Sequence, residues 1–475
     1  MTSQDPPNVL LMHCHDLGQY VGCYGADVET PNIDRLADDG ARFSNHFATA
    51  PQCSPSRGSL FTGCWPHVHG LVGLAHTEWE LDTERTLPHQ LSAAGYETHL
   101  FGLQHISESP ENLGYDQIHT AGRLSSNVSP ELHSVNRAER VSDIAAQYLE
   151  SGLESPFFAS VGFFEAHRLE SDGVHDEEGD VVYGYGTRYD ADDPNDVDVP
   201  GYLPDEPGVR EDLAAMRGMV YELDDAVGAV LDALDAAGLT EETLVLFTTE
   251  HGIAFPRAKG TCYEPGIETF LFAQYPPLID AGAVYEELVS NVDVMPTVLD
   301  LATGDVPPAV DGYSLAPLFD DDRTYSPRDH VFAEITWHDT YAPMRAVRTE
   351  RFKYIRSFWR NPRVFLPNDV FASRAGREVR GRYARPSRVH EELYDLESDP
   401  HEQRNLAGDE GYAQVREKLA ATLSTWMDAT DDPLLSGPVL PDDYDRLFEG
   451  TDPQSAANPM SRPVRSGSRD AVPRC

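Results

Sequence analysis

Four mainly apolar runs that read as strands, each followed closely by polar side chains, constrain the fold more than any other feature of this sequence. A run of this kind is typical of a strand that helices cover on both faces, as in parallel sheets. A long helix is also predicted, because apolar residues recur at helical spacing from Leu213 to Leu234, before Gly238. We therefore predict an α/β fold with a mostly parallel sheet flanked by helices. The four runs are Asn8–Cys14, Thr98–Gly102, Phe157–Phe164 and Thr243–Thr249.

The polar residues that follow these runs are candidate ligands and acid–base groups. Open α/β sheets bind their ligands at the carboxyl ends of the strands, so these positions point to a site at that edge of the sheet. The structural alternative is that each is an ordinary turn residue with its hydrogen bonds satisfied locally. The residues are His15, Asp16, Gln104, His105, Glu165, His167, Glu250 and His251.

The segment from Pro51 to Gly63, P-Q-C-S-P-S-R-G-S-L-F-T-G, predicts a short helix with a cysteine at its start. Ser54 is a possible N-cap, the following proline is predicted to be the first helical residue, and Gly63 is predicted to end the helix. Unpaired N–H groups at the start of a helix favour an anion, and Arg57 adds a guanidinium suited to a planar oxyanion. The spacing thus predicts an oxyanion pocket with Cys53 at its mouth, with a small buried cysteine as the alternative.

The pattern C-x-P-S-R, followed by a short helix and T-G, resembles the signature of the sulfatases. The segments Y-V-G-C-Y-G, T-P-N-I-D-R-L-A, D-V-M-P-T-V-L-D-L and E-L-Y-D-L-E-S-D-P-H-E-Q-R-N-L are similar to that family in the same order. The resemblance implies an alkaline phosphatase-like fold and a formylglycine made from Cys53 by a maturation enzyme. Within the family, C-S-P-S-R-x-S-L-x-T-G, Y-x-P-G and P-M-R-x-V look most like the heparan N-sulfatase (sulfamidase) branch.

The resemblance also implies the metal ligands. Sulfatases end the first strand with two adjacent acidic residues that bind the metal; His15 stands in place of the first, and Asp16 matches the second. Glu250 and His251 lie where the family completes the metal site, and Cys53 belongs to the same site.

Further site residues follow from the same comparison. Lys259 matches a basic residue on the sulfate, and Arg57 would help to neutralise the same group. His167 matches a histidine near the leaving oxygen, and His105 matches one near the formylglycine hydroxyl. Leu103 stands where the family has a lysine.

The metal's identity is open between two classes. The resemblance implies calcium, which prefers oxygen ligands. Histidines at positions 15 and 251 would suit manganese, zinc or iron(II) better, unless His15 lies outside the coordination sphere and the carboxylates hold calcium.

The implied function is hydrolysis of a sulfate ester or an N-sulfate (sulfamate) group on a sugar or other sulfated molecule. Two alternatives remain open: a phosphodiester or phosphonate monoester hydrolase of the same superfamily, and a non-catalytic binder of sulfated glycans. Intact Cys53 and Arg57 argue against the binder, because a dead site has no use for the maturation signature.

Composition limits the partners and the setting. The net charge is −44, from 80 acidic and 36 basic residues spread along the chain, which predicts adaptation to high salt and excludes nucleic acid and anionic membranes as partners. Six cysteines in 475 residues do not make a disulfide framework. The sequence begins without a signal-peptide pattern and holds no apolar run of membrane-spanning length, so a cytoplasmic location is predicted.

The chain is predicted to contain two domains and a tail. Residues 1–325 form the catalytic domain, with 170–208 as an acidic insertion or lid. Residues 326–435 form a small C-terminal domain with an antiparallel sheet, and 436–475 form a polar tail.

Overall fold

The computed structural model describes residues 6–77, 79–119, 136–153, 156–175, 181–186, 188–320, 322–359, 364–383 and 389–441. Within them the largest element is a nine-stranded mixed sheet. Its strands are β1 (Asn8–Cys14), β2 (Ala41–Phe47), β3 (Glu97–Gly102), β4 (Gln117–Ile118), β5 (Phe157–Gly162), β8 (Thr243–Thr249), β9 (Glu268–Thr269), β10 (Leu271–Gln274) and β11 (Ala283–Ser290).

The spatial order of the main sheet is β11-β2-β10-β8-β1-β5-β3-β4, with β9 paired to β2. Strand β1 lies between β5 and β8 and runs parallel to both, and β3 runs parallel to β5. The short strand β10 is antiparallel to its neighbours β2 and β8. The predicted mixed, mostly parallel sheet is confirmed, and β1 and β8 have the bounds predicted from their apolar runs.

Two layers of helices cover the sheet. The helices of the chain are α1 (Pro31–Asp39), α2 (Cys53–Thr62), α3 (Pro66–His69), α4 (Leu87–Ala93), α5 (Ala138–Leu149), α6 (Pro207–Ala236), α7 (Glu264–Ile267), α8 (Val294–Thr303), α9 (Asn368–Phe371), α10 (Arg374–Tyr383) and α11 (Ala413–Ala429). The first layer includes the long helix α6, whose predicted apolar stripe is buried against α1, α5 and the strands. The other layer contains α2, α4 and α8.

A separate antiparallel sheet follows the large one. Its four strands lie in chain order and are β12 (His330–Trp337), β13 (Tyr341–Thr349), β14 (Phe352–Ser357) and β15 (Glu391–Asp395). Apolar residues of this sheet pack on one side against α7, and on the other side against α11. The fold class predicted from the sequence, a large α/β sheet followed by a smaller antiparallel sheet, is confirmed.

The predicted insertion and tail are described only in part. Strands β6 (Leu169–His175) and β7 (Val181–Gly184) form a two-stranded antiparallel sheet inside the insertion, of which residues 176–180 and 187 lie outside the described part. In the tail, the carbonyl of Val439 accepts a hydrogen bond of 2.6 Å from Trp337 Nε1, and residues 442–475 are not described.

The described residues contain no helix that is both long and apolar enough to cross a bilayer. The five cysteines in the described part of the chain form no disulfide with one another.

Candidate active site

Helix α2 places Cys53 at its first residue. The preceding Gln52 has an extended backbone, with φ −157°, and Gly63 ends the helix in the left-handed region at φ 67°. The prediction that Pro55 begins the helix is wrong by two residues. Proline is tolerated at the third position because the first N–H groups of a helix have no partner within it. Cys53 is only 2% exposed, so it lies at a buried helix terminus.

The residues after β1 and β8 meet next to Cys53. His251 Nε2 lies 3.4 Å from Cys53 Sγ and 3.2 Å from Asp16 Oδ1. His15 Nδ1 lies 2.5 Å from Glu250 Oε1. One ligand atom from each of His15, Asp16, Cys53 and Glu250 lies within 4.8 Å of the others. The structure therefore brings together all five residues that the sequence suggested as metal ligands.

Asp16 and Glu250 each have one carboxylate oxygen bound by a cation and the other directed into this cluster. Glu250 Oε2 accepts from Arg57 at 3.1 Å, and Asp16 Oδ2 accepts from Lys259 at 2.9 Å. Asp16 Oδ1 and Glu250 Oε1 are buried and, apart from the cluster's own members, make no hydrogen bond to the protein. Two buried oxygens directed at one point, with imidazole nitrogens beside them, fit a divalent metal ion.

The orientation of His251 also suits a metal ligand. Its Nδ1 lies 2.8 Å from the carbonyl oxygen of Gly252. If Nδ1 donates its proton there, the lone pair of Nε2 is left facing Asp16 and Cys53. Metal-binding histidines are commonly oriented in this way by a hydrogen bond from the other ring nitrogen.

The buried charges change the ionisation of the site. Burial opposes protonation of His15, but the Glu250 carboxylate raises its pKa to about 10. Burial likewise opposes ionisation of Glu250, but Arg57 and His15 lower its pKa to about 2. Burial raises the pKa of the Cys53 thiol, but the charges of Lys259 and His15 outweigh it and hold the pKa well below its usual value. The site thus stabilises anions, and a metal ion would compete with the His15 proton for the same ligands.

Three protein groups hold the guanidinium of Arg57 in place. Its NH2 donates to the carbonyl of Cys14 at 2.7 Å as well as to Glu250, and its NH1 lies 2.5 Å from His13 Nδ1. Burial and the charge of Arg57 keep the pKa of His13 well below its usual value, so the imidazole is neutral and can accept. In this arrangement Arg57 fixes Glu250; its predicted contact with an oxyanion stays a prediction.

The end of β3 places His105 beside the cluster. The ring of His105 lies 5.7 Å from that of His15 and stacks on His76 at 5.9 Å, centroid to centroid. Leu103, which stands where a lysine was expected, is fully buried and packs against Phe164. Leu103 therefore offers an apolar side chain at the position where a cation was expected.

Three side chains surround the ammonium group of Lys259. Its Nζ lies 2.9 Å from Asp16 Oδ2, 2.8 Å from Asp369 Oδ2 and 3.5 Å from His167 Nε2. Asp369 lies on the short helix α9, which comes between strands β14 and β15 in the chain. The sequence analysis did not identify this residue. It follows no strand and belongs to no motif, so only the fold shows that it reaches the site.

The fold is of the alkaline phosphatase-like class. The chain belongs to the sulfatase family: the Sulfatase family model matches residues 7–304, and the model of the N-sulphoglucosamine sulphohydrolase C-terminal region matches residues 250–370. Membership of this family makes the chain a sulfuric ester hydrolase.

Named relatives and solved structures agree with this family. The chain is 32% identical over 472 residues to human N-sulphoglucosamine sulphohydrolase, covering 91% of this chain and 92% of that protein. It is 30% identical over 436 residues to an ulvan-active sulfatase of Formosa agariphila, covering 90% and 81%. A putative sulfatase structure from Bacteroides thetaiotaomicron superposes with a TM-score of 0.68 at 22% identity, covering 91% and 94%. A protein solved with its substrate D-glucosamine-2-N,6-O-disulfate gives 0.67 at 20% identity, covering 92% and 99%.

Proposed function

We propose that this chain hydrolyses sulfate ester or sulfamate groups of a sugar, using a formylglycine made from Cys53 and one divalent metal ion. The observation that carries the proposal is the meeting of Cys53 with one carboxylate oxygen each of Asp16 and Glu250 at a buried helix terminus. Lys259 and Arg57 bind the other oxygen of each carboxylate. A sulfate group is an anion, so a metal ion bound here, together with Arg57 and Lys259, would lower the cost of bringing a second anion to it.

The metal would be held by His15, Asp16, Glu250 and His251. When bound, it would neutralise sulfate charge and act as a Lewis acid. Two imidazoles with two carboxylates favour manganese, zinc or iron(II) over calcium, which prefers an all-oxygen site. Elemental analysis of protein purified without added metal tests this preference, and stoichiometric calcium alone would contradict it.

The residues of the chain supply positioning and proton transfer. A formylglycine at position 53 would provide the hydroxyl that attacks sulfur. His167 Nε2 lies 3.9 Å from Asp16 Oδ2, at the edge of the site and partly exposed, where it can protonate the departing oxygen or nitrogen. On the other side of Cys53, buried His105 is the candidate base that removes the second hydroxyl proton when sulfate is released, because burial lowers its pKa and keeps the imidazole neutral.

The sugar part of the proposal comes from the relatives. The human relative is named for N-sulphoglucosamine. The family model for the C-terminal region of N-sulphoglucosamine sulphohydrolases also matches this chain. Ulvan-active relatives suggest ester sulfates on another polysaccharide. The substrate class proposed is therefore a sulfated sugar, with the sulfamate of glucosamine as the first compound to assay.

Parallel assays decide between the alternatives. N-sulfoglucosamine, a sulfated oligosaccharide, an aryl sulfate and a matched aryl phosphonate are offered to the matured enzyme and to Cys53→Ala. Turnover of a sulfated compound that Cys53→Ala loses, with its fold retained, supports the proposal. Faster turnover of the phosphonate, or binding of the glycan without turnover, would support one of the alternatives instead.

A further inference from the structure

A cavity of about 540 Å³ lies near the end of helix α2 that is farther from Cys53. Cys53 is the first of the ten residues of α2, so the two ends of this helix are about 15 Å apart. Trp65, shortly beyond the helix, lines the cavity, and its N–H donates to Asp311 Oδ2 in the same wall at 3.0 Å. Among the described residues, the cavity shares no lining side chain with the site beside Cys53.

Aromatic rings form much of the cavity wall. Trp426 lies parallel to Phe332 with ring centroids 4.4 Å apart, and Trp65 is perpendicular to both, at 5.5 and 5.9 Å. These three residues are at most 8% exposed, whereas Tyr313 in the same wall is 58% exposed. The guanidinium of Arg328 lies over the Tyr313 ring, 4.7 Å from its centroid, and holds this exposed ring in place. Such rings offer flat faces on which a ligand with apolar C–H groups can pack.

Three residues of the wall carry buried polar groups that have no hydrogen-bond partner in the described part of the protein. These groups are the indole N–H of Trp426, the hydroxyl of Tyr325 and the Nε–H of Arg328. All three can donate a hydrogen bond, and a buried donor without an acceptor is unfavourable. A ligand that carries several oxygen acceptors would therefore gain hydrogen bonds that the protein does not make for itself.

The charge of the cavity favours a neutral ligand. Asp311 and Asp329 contribute carboxylates, and Arg328 is already paired with Asp293 at 2.5 Å. Burial lowers the pKa of His330, so its imidazole adds no positive charge at neutral pH. A sulfate group would meet uncompensated negative charge here, whereas hydroxyl groups can donate to the two carboxylates.

We propose that this cavity binds an unsulfated sugar residue of a glycan chain. A sugar ring combines apolar C–H faces with hydroxyl groups that both accept and donate, which matches the rings, the unpaired donors and the carboxylates of the wall. The choice of ligand rests on the proposed function, because a glycan whose sulfate group enters the site beside Cys53 also presents unsulfated rings. The cavity would then hold the enzyme on the same chain that it desulfates.

The test measures the binding of neutral sugars by titration calorimetry. Disaccharides of glucose, galactose and N-acetylglucosamine are titrated into the full-length protein, and we expect at least one to bind at millimolar concentration. Tyr313→Ala should weaken this binding roughly tenfold, because the exposed ring face is lost. Trp426→Phe keeps an aromatic ring without the N–H and should weaken it several-fold. The matched control is Tyr412→Ala, which removes a half-buried tyrosine that does not line the cavity and should leave the affinity unchanged.

The outcomes separate this inference from the proposed function, because neutral sugars carry no sulfate and the titration needs no turnover. Absence of binding for all three sugars would overturn the inference. Binding that Tyr313→Ala leaves unchanged would also overturn it, because the sugar would then lie elsewhere. Sedimentation of wild type as a dimer and of Tyr313→Ala as a monomer would assign the cavity to an interface between two copies of the chain instead. A failure of the proposed function would appear in the activity assays and not in these titrations.

Discussion

Replacing Glu250 with glutamine tests whether the two carboxylate oxygens bind Arg57 and the proposed metal at the same time. Glu250 Oε2 accepts from Arg57 at 3.1 Å and from the hydroxyl of Thr249 at 3.2 Å, while Oε1 is directed at the proposed metal position. A glutamine amide has one acceptor oxygen and one NH2 donor. In one orientation the NH2 faces Arg57, and in the other it faces the metal, so no orientation preserves both interactions.

The size of the effect follows from this loss. Removing one partner of a buried, paired charge costs about 3–5 kcal/mol. Since 1.4 kcal/mol is tenfold in an equilibrium constant, we expect Glu250→Gln to bind the metal roughly 10²- to 4 × 10³-fold more weakly.

The assay is competition for the metal with a chelator of known affinity, together with thermal unfolding to show that the variant is folded. Glu165→Gln is the matched control, because Glu165 is buried and follows the neighbouring strand β5. Its two carboxylate oxygens accept from the hydroxyl of Tyr189 and from the N–H of Ala138. If Glu250→Gln bound the metal as tightly as Glu165→Gln and wild type, Glu250 would not be a ligand.

Three further predictions concern pH, salt and metal removal. Burial and the neighbouring Glu264 raise the pKa of Glu268 to about 8, so the folded protein holds a proton that the unfolded chain releases between about pH 5 and 8, and stability falls as the pH rises through that window. Glu268→Gln should therefore be more stable than wild type at about pH 9 and equal to it near about pH 4 in denaturant titrations, and equal stability at both would contradict this pKa. The net charge of −44 predicts a lower free energy of unfolding after dialysis into dilute buffer, and an unchanged denaturation midpoint would reject salt adaptation. Treatment with a chelator should abolish sulfatase activity, and manganese should restore it better than calcium; restoration by calcium alone would reverse the metal preference.

Much of the fold was predictable because local chemistry and tertiary context agree there. The runs Asn8–Cys14 and Thr243–Thr249 are strands with those bounds, and every residue in them is buried, as expected for strands that are covered on both faces. The apolar stripe on α6 and the stop near Gly238 were visible for the same reason.

The sequence indicated the residues that meet beside Cys53, but not their contacts or the approach of Asp369 to Lys259. The motif around Cys53 and the polar residues after the strands point to a shared edge, yet the start of α2 was misplaced because proline at the third helical position looks in sequence like proline at the first. In both Asp16 and Glu250, one carboxylate oxygen binds a cation and the other faces the cluster. This arrangement depends on side-chain geometry, which the sequence does not show. Asp369 comes 110 residues after Lys259 in the chain, and no periodicity or motif marks it.

The proposed role of Cys53 is tested most directly by the mass of the peptide that contains it, from protein produced together with a formylglycine-generating enzyme. Conversion of the cysteine to formylglycine predicts a loss of about 18 mass units at this residue, in parallel with the appearance of sulfatase activity. An unmodified thiol in a preparation that hydrolyses sulfate at full rate would contradict the proposed role of Cys53.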